Sequence, residues 1–392
     1  MTTVCIQNVR VVYPGERVAP GTITIQQDRI SALDAPVPAG ATVIDGENRL
    51  LTPGLMDVQT HGIHRFLYER APEDILEAAQ VLPRYGTTCV LPTLYTCLNR
   101  QRLDHIDRLA RAMEQVESAR MPGFHFEGPF LSLTGAGATT APGDLGLMKE
   151  MVAAAHDRVC AVSVSPEAPD ILPVIEWLFE KRITVFMTHT RASVEETERA
   201  IDAGARHATH FYDVFPLPPE SEPGVRPAGA VEAILADPRA SVDFIADGIH
   251  VHPMAIKCAL AAKTWRGVML ITDSNIGAGL PAGTYETPWG FPVRVRPDDA
   301  ARIVDPQKPR DGLLAGSALT MNRGIQNLLR WLKLPPEQVW AMGSLNPARL
   351  VGLERSGCIA AGADADLVLW DEDLVPWKTI VRGQVVYERT TS

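Results

Sequence analysis

From Pro53 to about residue 350 the chain alternates short apolar runs with stretches of helical character, about seven or eight times over. The apolar runs include CVLPTLY, MPGFHFEG, VCAVSVSPE, ITVFMTHT, HATHFYD, VDFIADGIHV and VMLITDS; the stretches between them include PEDILEAAQVLPRYG, VEETERAIDAG and HPMAIKCALAAKT. Apolar strands separated by helices belong to a parallel sheet covered by those helices. Repeated to this number, the units close on themselves, so the fold class read here is α/β, a TIM-like (β/α)8 barrel over residues 53–354.

The two ends read differently. Residues 1–52 carry the strand candidates VCIQNVRVVY, TITIQQDRISAL and ATVIDGENRLL between Pro/Gly turn signals, and the tail GADADLVLWDEDLVPWKTIVRGQVVYE repeats that alternation. The ends are predicted to meet in one small β-sandwich, residues 1–52 with 355–392, from which the barrel is inserted. No repeat of fixed period and no low-complexity segment interrupts this plan.

A chain of 392 residues with 46% hydrophobic and 21% charged residues is that of a globular protein with a sizeable core. Its formal net charge of -10, with no Lys/Arg-rich run, would meet repulsion from a phosphate backbone and argues against nucleic acid as a partner. The six cysteines are scattered without a CxxC pair, which fits reduced thiols. The N-terminal stretch MTTVCIQNVRVVYPGER has no basic segment followed by an apolar one, and no run reaches the ~18 apolar residues of a membrane span. The expectation is a cytoplasmic protein without membrane association.

In a parallel barrel the chemistry lies at the C-terminal strand ends, so polar residues that close an apolar strand are the candidates. They are Gln59 and His61 in LMDVQTHG, Glu127 in HFEGPF, His189 in FMTHT, His210 in ATHF, Asp247 and His250 in IADGIH, and Asp273 in LITDS. Buried alone, Glu127 would neutralise, so it needs a cation, an ion pair or a donor network. An arginine partner or a backbone turn would satisfy that need as well. Together, however, Glu127, His189 and His210 make one carboxylate and two imidazoles on three strand ends, a donor set for a divalent metal with a position left open for water. Asp273 is then the group to take a proton from water and hand it to a leaving amine, unless it merely caps the following segment.

These motifs resemble the amidohydrolase superfamily and, within it, the N-acetylglucosamine-6-phosphate deacetylases. The resemblance rests on TPGLMDVQTHG, HFEGPFL, SPE at 165–167, THT at 188–190, ATHFYDVF, IADGIHVHP, LITDS, LLAGSALTM, SLNPARLVGL and GCIAAGADADLVLWD, in this order along nearly the whole chain. It implies metal ligands at Glu127, His189 and His210, and Asp273 as general base and acid. It also implies one divalent metal ion per subunit, zinc first, with iron, cobalt, manganese and nickel compatible. The implied reaction removes the acetyl group from an amino-sugar phosphate and releases acetate. Arg226 in GVRPAGAVEAIL and His250 would hold the sugar phosphate, the arginine reaching in from a neighbouring subunit, so a homodimer is implied. An arginine fork suits phosphate, although a solvated arginine on a Pro/Gly-rich loop is the plainer reading of Arg226 alone.

Three departures bear on substrate. Where many superfamily members have H-x-H, this chain has Gln59 and His61; glutamine is a weak ligand, so a second metal is not expected, and His61 serves either metal or substrate. Where the family has a lysine-glycine-x-histidine stretch that polarises the carbonyl, this chain has LTGAGATTAPG, with Thr139 or Thr140 as stand-ins. Losing such a donor costs roughly 10²- to 10³-fold in rate unless replaced. Where the family has asparagine after the second histidine ligand, Asp213 follows Tyr212, adding a negative charge beside a phosphate pocket. A sibling activity on another N-acyl sugar, a sugar acid or a cyclic amide therefore stands beside the leading reading, as does a non-catalytic barrel that binds a sugar phosphate.

Overall fold

The computed structural model describes residues 3–135, 138–220 and 222–390. Eight parallel strands form one sheet: Leu55–Thr60, Thr87–Leu94, Phe124–Glu127, Val159–Val164, Thr184–Met187, Ala205–Ala208, Ser241–Ile245 and Val268–Ile271. They lie in chain order. Past the end of the eighth strand, Asp273 donates its N–H to the carbonyl of Gln59 at 2.9 Å, and His61 donates back to the carbonyl of Ser274 at 2.9 Å, so the last strand meets the first and the sheet is a (β/α)8 barrel.

Local chemistry sets the helices that cover it. Val194–Ala203 starts on a capping box, with the Ser193 hydroxyl taking the Glu196 N–H and the Glu196 carboxylate taking the Ser193 N–H, and ends at Gly204 in a left-handed conformation, φ 130°. Pro253–Lys263 begins with proline at its first position, and the His252 ring accepts the Met254 N–H. The apolar faces of strands and helices share one continuous core that includes Phe124, Phe126, Phe186, Phe244 and Trp340, all buried.

Strands from both termini form a second sheet. Thr3–Tyr13, Arg17–Gln26, Arg29–Leu33 and Thr42–Pro53 pair with Leu367–Trp370, Pro376–Val381 and Gln384–Glu388 in one seven-stranded sheet. The two chain ends are joined where Leu367–Trp370 runs antiparallel to Leu50–Pro53. This unit has its own core of Ile6, Val11, Ile23, Ile25, Leu51, Leu367, Leu369 and Ile380. Arg120, from the barrel side, pairs with Asp364 and Asp366 of the tail, the latter at 2.8 Å, and ties the unit to the barrel.

A third sheet has no counterpart in the sequence reading. Gly283–Tyr285, Val293–Val295 and Arg302–Ile303 form a small antiparallel sheet after the eighth barrel strand, its Tyr285, Val293 and Val295 packed with Leu67, Ile276 and Ala315. Among the described residues no helix is long and apolar enough to cross a membrane.

Candidate active site

The C-terminal ends of the barrel strands converge on one carboxylate. Glu127 closes the third strand, and its Oε1 lies 3.2 Å from His189 Nε2 and 3.1 Å from His210 Nε2. His61, one residue beyond the first strand, sits with Nε2 3.2 Å from Glu127 Oε2 and 3.2 Å from Asp273 Oδ1. His189, His210 and Asp273 each follow a strand end by two residues, and each adopts a left-handed backbone, φ 48°, 34° and 47°. Such conformations cost non-glycine residues free energy and persist only where the surroundings hold them. At His210 they do so: Asp243, fully buried in the seventh strand, accepts the His210 N–H at 2.5 Å, the Thr209 hydroxyl and His207 Nε2 at 2.8 Å.

Electrostatics follow from this packing. Burial alone would push the Glu127 carboxyl up, but hydrogen bonds from His189, His210 and His61 outweigh it and hold the group well below the usual carboxylate range. Burial likewise works against charge on His210, yet the Glu127 carboxylate raises it to about 10. One layer deeper, Asp57 is pushed up to about 7 by burial, against hydrogen bonds from the Thr272 hydroxyl and N–H. A cavity of about 640 Å³ opens above the cluster and is lined by Glu127, His61, His189, His210, His250 and Asp273 among others.

The model of the Amidohydrolase family matches residues 50–386. The chain belongs to the amidohydrolase family. It is 30% identical over 395 residues to N-acetylglucosamine-6-phosphate deacetylase of Bacillus subtilis, covering 97% of this chain and 96% of that protein. It is also 30% identical over 370 residues to N-acetylgalactosamine-6-phosphate deacetylase of Escherichia coli O157:H7, covering 91% and 93%. Among solved structures, a variant of the Mycobacterium smegmatis N-acetyl-D-glucosamine-6-phosphate deacetylase in complex with N-acetyl-D-glucosamine-6-phosphate superposes with a TM-score of 0.83 at 26% identity, over 98% of this chain and 99% of that one.

This amidohydrolase is a hydrolytic enzyme for carbon–nitrogen bonds, and its family is metal-dependent. The donor set fits an ion. One atom each of Glu127, His189 and His210 lie within 4.8 Å of one another, all buried. His189 Nδ1 donates to the Leu133 carbonyl at 2.9 Å, because a carbonyl can only accept, and this orients Nε2 toward Glu127. With a cation between them the protons on the Nε2 atoms of His189 and His210 would be displaced, and the two imidazoles and the Glu127 carboxylate would become its donors. Gln59, in the first strand, has both side-chain amide atoms buried without a hydrogen-bond partner among the described residues, but it does not line the cavity.

The other expected residues divide. His250 and Asp213 line the cavity, and the Asp247 carboxylate, 2.7 Å from His250 Nδ1, raises the His250 pKa against the effect of burial. Tyr212 does not line it; its ring packs on Phe211 and Phe244. Thr139 is exposed and also outside the lining, where Gly135 and Ala138 stand instead, and Thr140 bridges to Phe130 and Leu131 through its backbone. Ala136 and Gly137 of the same stretch lie outside the described residues. Arg226 is 76% exposed, bonded through Nη2 to Glu232 Oε1 at 2.7 Å, and does not reach its own cavity. Residues the sequence reading missed also line the wall: Trp289 and Phe291 from the antiparallel sheet, Tyr95, and Arg310. Arg310 lies in PQKPRDG, where a Pro/Gly context signals only an exposed turn.

Proposed function

We propose that this amidohydrolase cleaves the N-acetyl amide of an amino-sugar phosphate, N-acetylglucosamine 6-phosphate or a close relative such as its galactosamine epimer, to the free amine and acetate. The observation that carries the reading is the convergence of Glu127, His189 and His210 beside Asp273 at one mouth of the barrel. A divalent ion held by these three ligands, one per subunit and zinc by preference, supplies a Lewis acid that polarises the acyl oxygen and acidifies water.

The chain's own residues do the rest. Asp273 takes a proton from the attacking water as the water oxygen bonds to the acyl carbon, then passes it to the amide nitrogen as the C–N bond breaks. His61 spans Asp273 and Glu127 and holds the two carboxylates in register. His250, whose proton affinity the Asp247 carboxylate raises, suits an anionic substituent on the sugar. Arg226, exposed and paired with Glu232, is outside its own cavity and would, in a homodimer, reach into the neighbouring subunit. The separate core of the terminal sheet supports a division into a small β-unit, residues 1–52 with 355–392, and a hydrolase barrel, 53–354. A cytoplasmic location suits a phosphorylated sugar substrate.

The test is acetate release from a panel of N-acetylated sugars with and without a 6-phosphate, with bound metal measured alongside. Turnover should be fastest with a phosphorylated N-acetylhexosamine. Turnover that is indifferent to Glu127→Ala would overturn the reading. A substrate other than the glucosamine phosphate is favoured by one observation, the Asp213 carboxylate in the cavity wall, and the galactosamine and sugar-acid arms of the panel address it.

A further inference from the structure

The cavity carries three carboxylates, Glu127, Asp213 and Asp273, and among the described residues Arg310 is the one arginine or lysine in its wall. Arg310 belongs to the loop that follows the antiparallel sheet, which is pinned by Gly312 N–H to the Ile303 carbonyl at 2.9 Å and Lys308 N–H to the Asp305 carbonyl at 2.8 Å. Its guanidinium lies over the Phe291 ring, 4.4 Å from the centroid, and its Nε donates to Asp305 Oδ2 at 2.7 Å. Among the described residues the two Nη nitrogens donate no hydrogen bond. Stacking and one ion pair thus fix the plane of the fork while leaving its outer edge for a ligand, the arrangement that recognises a planar or tetrahedral oxyanion with two parallel bonds. Arg226, by contrast, lies outside this cavity and is engaged by Glu232.

We propose that Arg310 is a substrate-specificity residue supplied by the same subunit. It holds the acidic group of an N-acylated sugar, phosphate or carboxylate, while Trp289 and Phe291 face the rest of the molecule. The assignment rests on the proposed deacetylase reading and adds to it a second cationic anchor, within the chain, at the end of the substrate away from the amide.

The experiment compares metal-replete wild type, Arg310→Gln and Arg310→Lys. Three ligands are used: an N-acetylhexosamine 6-phosphate, an N-acetylated sugar acid and neutral N-acetylhexosamine. Binding is read by calorimetry and turnover by acetate release, with thermal melting to show that the variants fold. Arg310→Gln should weaken binding and raise KM for the preferred acidic sugar roughly 10- to 100-fold, as expected for losing a charge-assisted hydrogen-bond pair. Its kcat should stay within about threefold, its affinity for the neutral sugar should not change, and Arg310→Lys should fall between. The acidic ligand that shows the larger loss identifies phosphate or carboxylate. Unchanged affinity for both acidic sugars, or an equal loss for the neutral one, overturns the assignment. Arg310-dependent binding without acetate release would instead overturn the deacetylase reading and leave the anchor standing.

Discussion

In the proposed reaction Asp273 carries the proton transfer. It lies against His61 and is not among the three groups that converge as ligands, so removing its basicity separates proton transfer from metal binding. Asp273→Asn should retain metal and lose roughly 10²- to 10⁴-fold in kcat, measured by steady-state acetate release beside metal analysis. The convergence of Glu127, His189, His210 and Asp273 was legible in the sequence because each is a polar residue closing an apolar run, which places it at a barrel strand end. Arg310, Trp289 and Phe291 were not, because nothing local distinguishes a cavity wall from a solvated turn. A second prediction concerns Asp57, whose carboxyl is raised to about 7 by burial. The folded state therefore keeps this proton where an unfolded aspartate, with a pKa of about 3.9, has released it, so stability falls as pH rises from about 4 to about 7 and then levels. Urea midpoints taken from pH 5 to pH 8 should show Asp57→Asn losing part of the wild type's decline; equal slopes would contradict the assignment.

At the scale of elements, the barrel strands and the helices between them were legible because burial on both faces makes a parallel strand a continuous apolar run. The segment Val194–Ala203 shows how far local signals reach, since its cap, charged first turn and closing glycine all stand in VEETERAIDAG and the serine before it. Ser193→Ala should cost about 1 kcal/mol, seen as a lower denaturant midpoint with activity retained. The antiparallel sheet was illegible for the opposite reason. Its strands are three, three and two residues long, too short for any period to emerge, and its turns are rich in Pro and Gly. It owes its order to packing on Ile276 and Ala315 rather than to propensity. Its consequence is functional, because it brings Trp289, Phe291 and Ile303 to the cavity and leads into the loop of Arg310.

Across the whole molecule, the terminal sheet has a core of its own but meets the barrel through Val12, Val368 and Trp370, the last against Trp340, and through charge. Arg120 compensates Asp364 and Asp366, both largely buried, so Arg120→Gln should destabilise the protein by about 3 kcal/mol and loosen the terminal sheet from the barrel, visible as a broadened unfolding transition. That both ends fold together was legible in their matching alternation, whereas the Arg120 ion pairs to the tail were not, because its partners lie more than two hundred residues away. Removing metal with a chelator should lower the melting temperature, and adding it back should restore it, since an ion held only by the folded cluster stabilises by mass action. The central claim is that Glu127, with His189 and His210, holds an ion needed for amide hydrolysis beside Asp273. The most direct measurement is bound metal and acetate release in the same preparations of wild type, Glu127→Ala and Asp273→Asn, with N-acetylglucosamine 6-phosphate and its galactosamine epimer as substrates. The account predicts one ion and turnover in wild type, little metal and no turnover in Glu127→Ala, and one ion without turnover in Asp273→Asn; a metal-free Glu127→Ala protein that still releases acetate at the wild-type rate would contradict it.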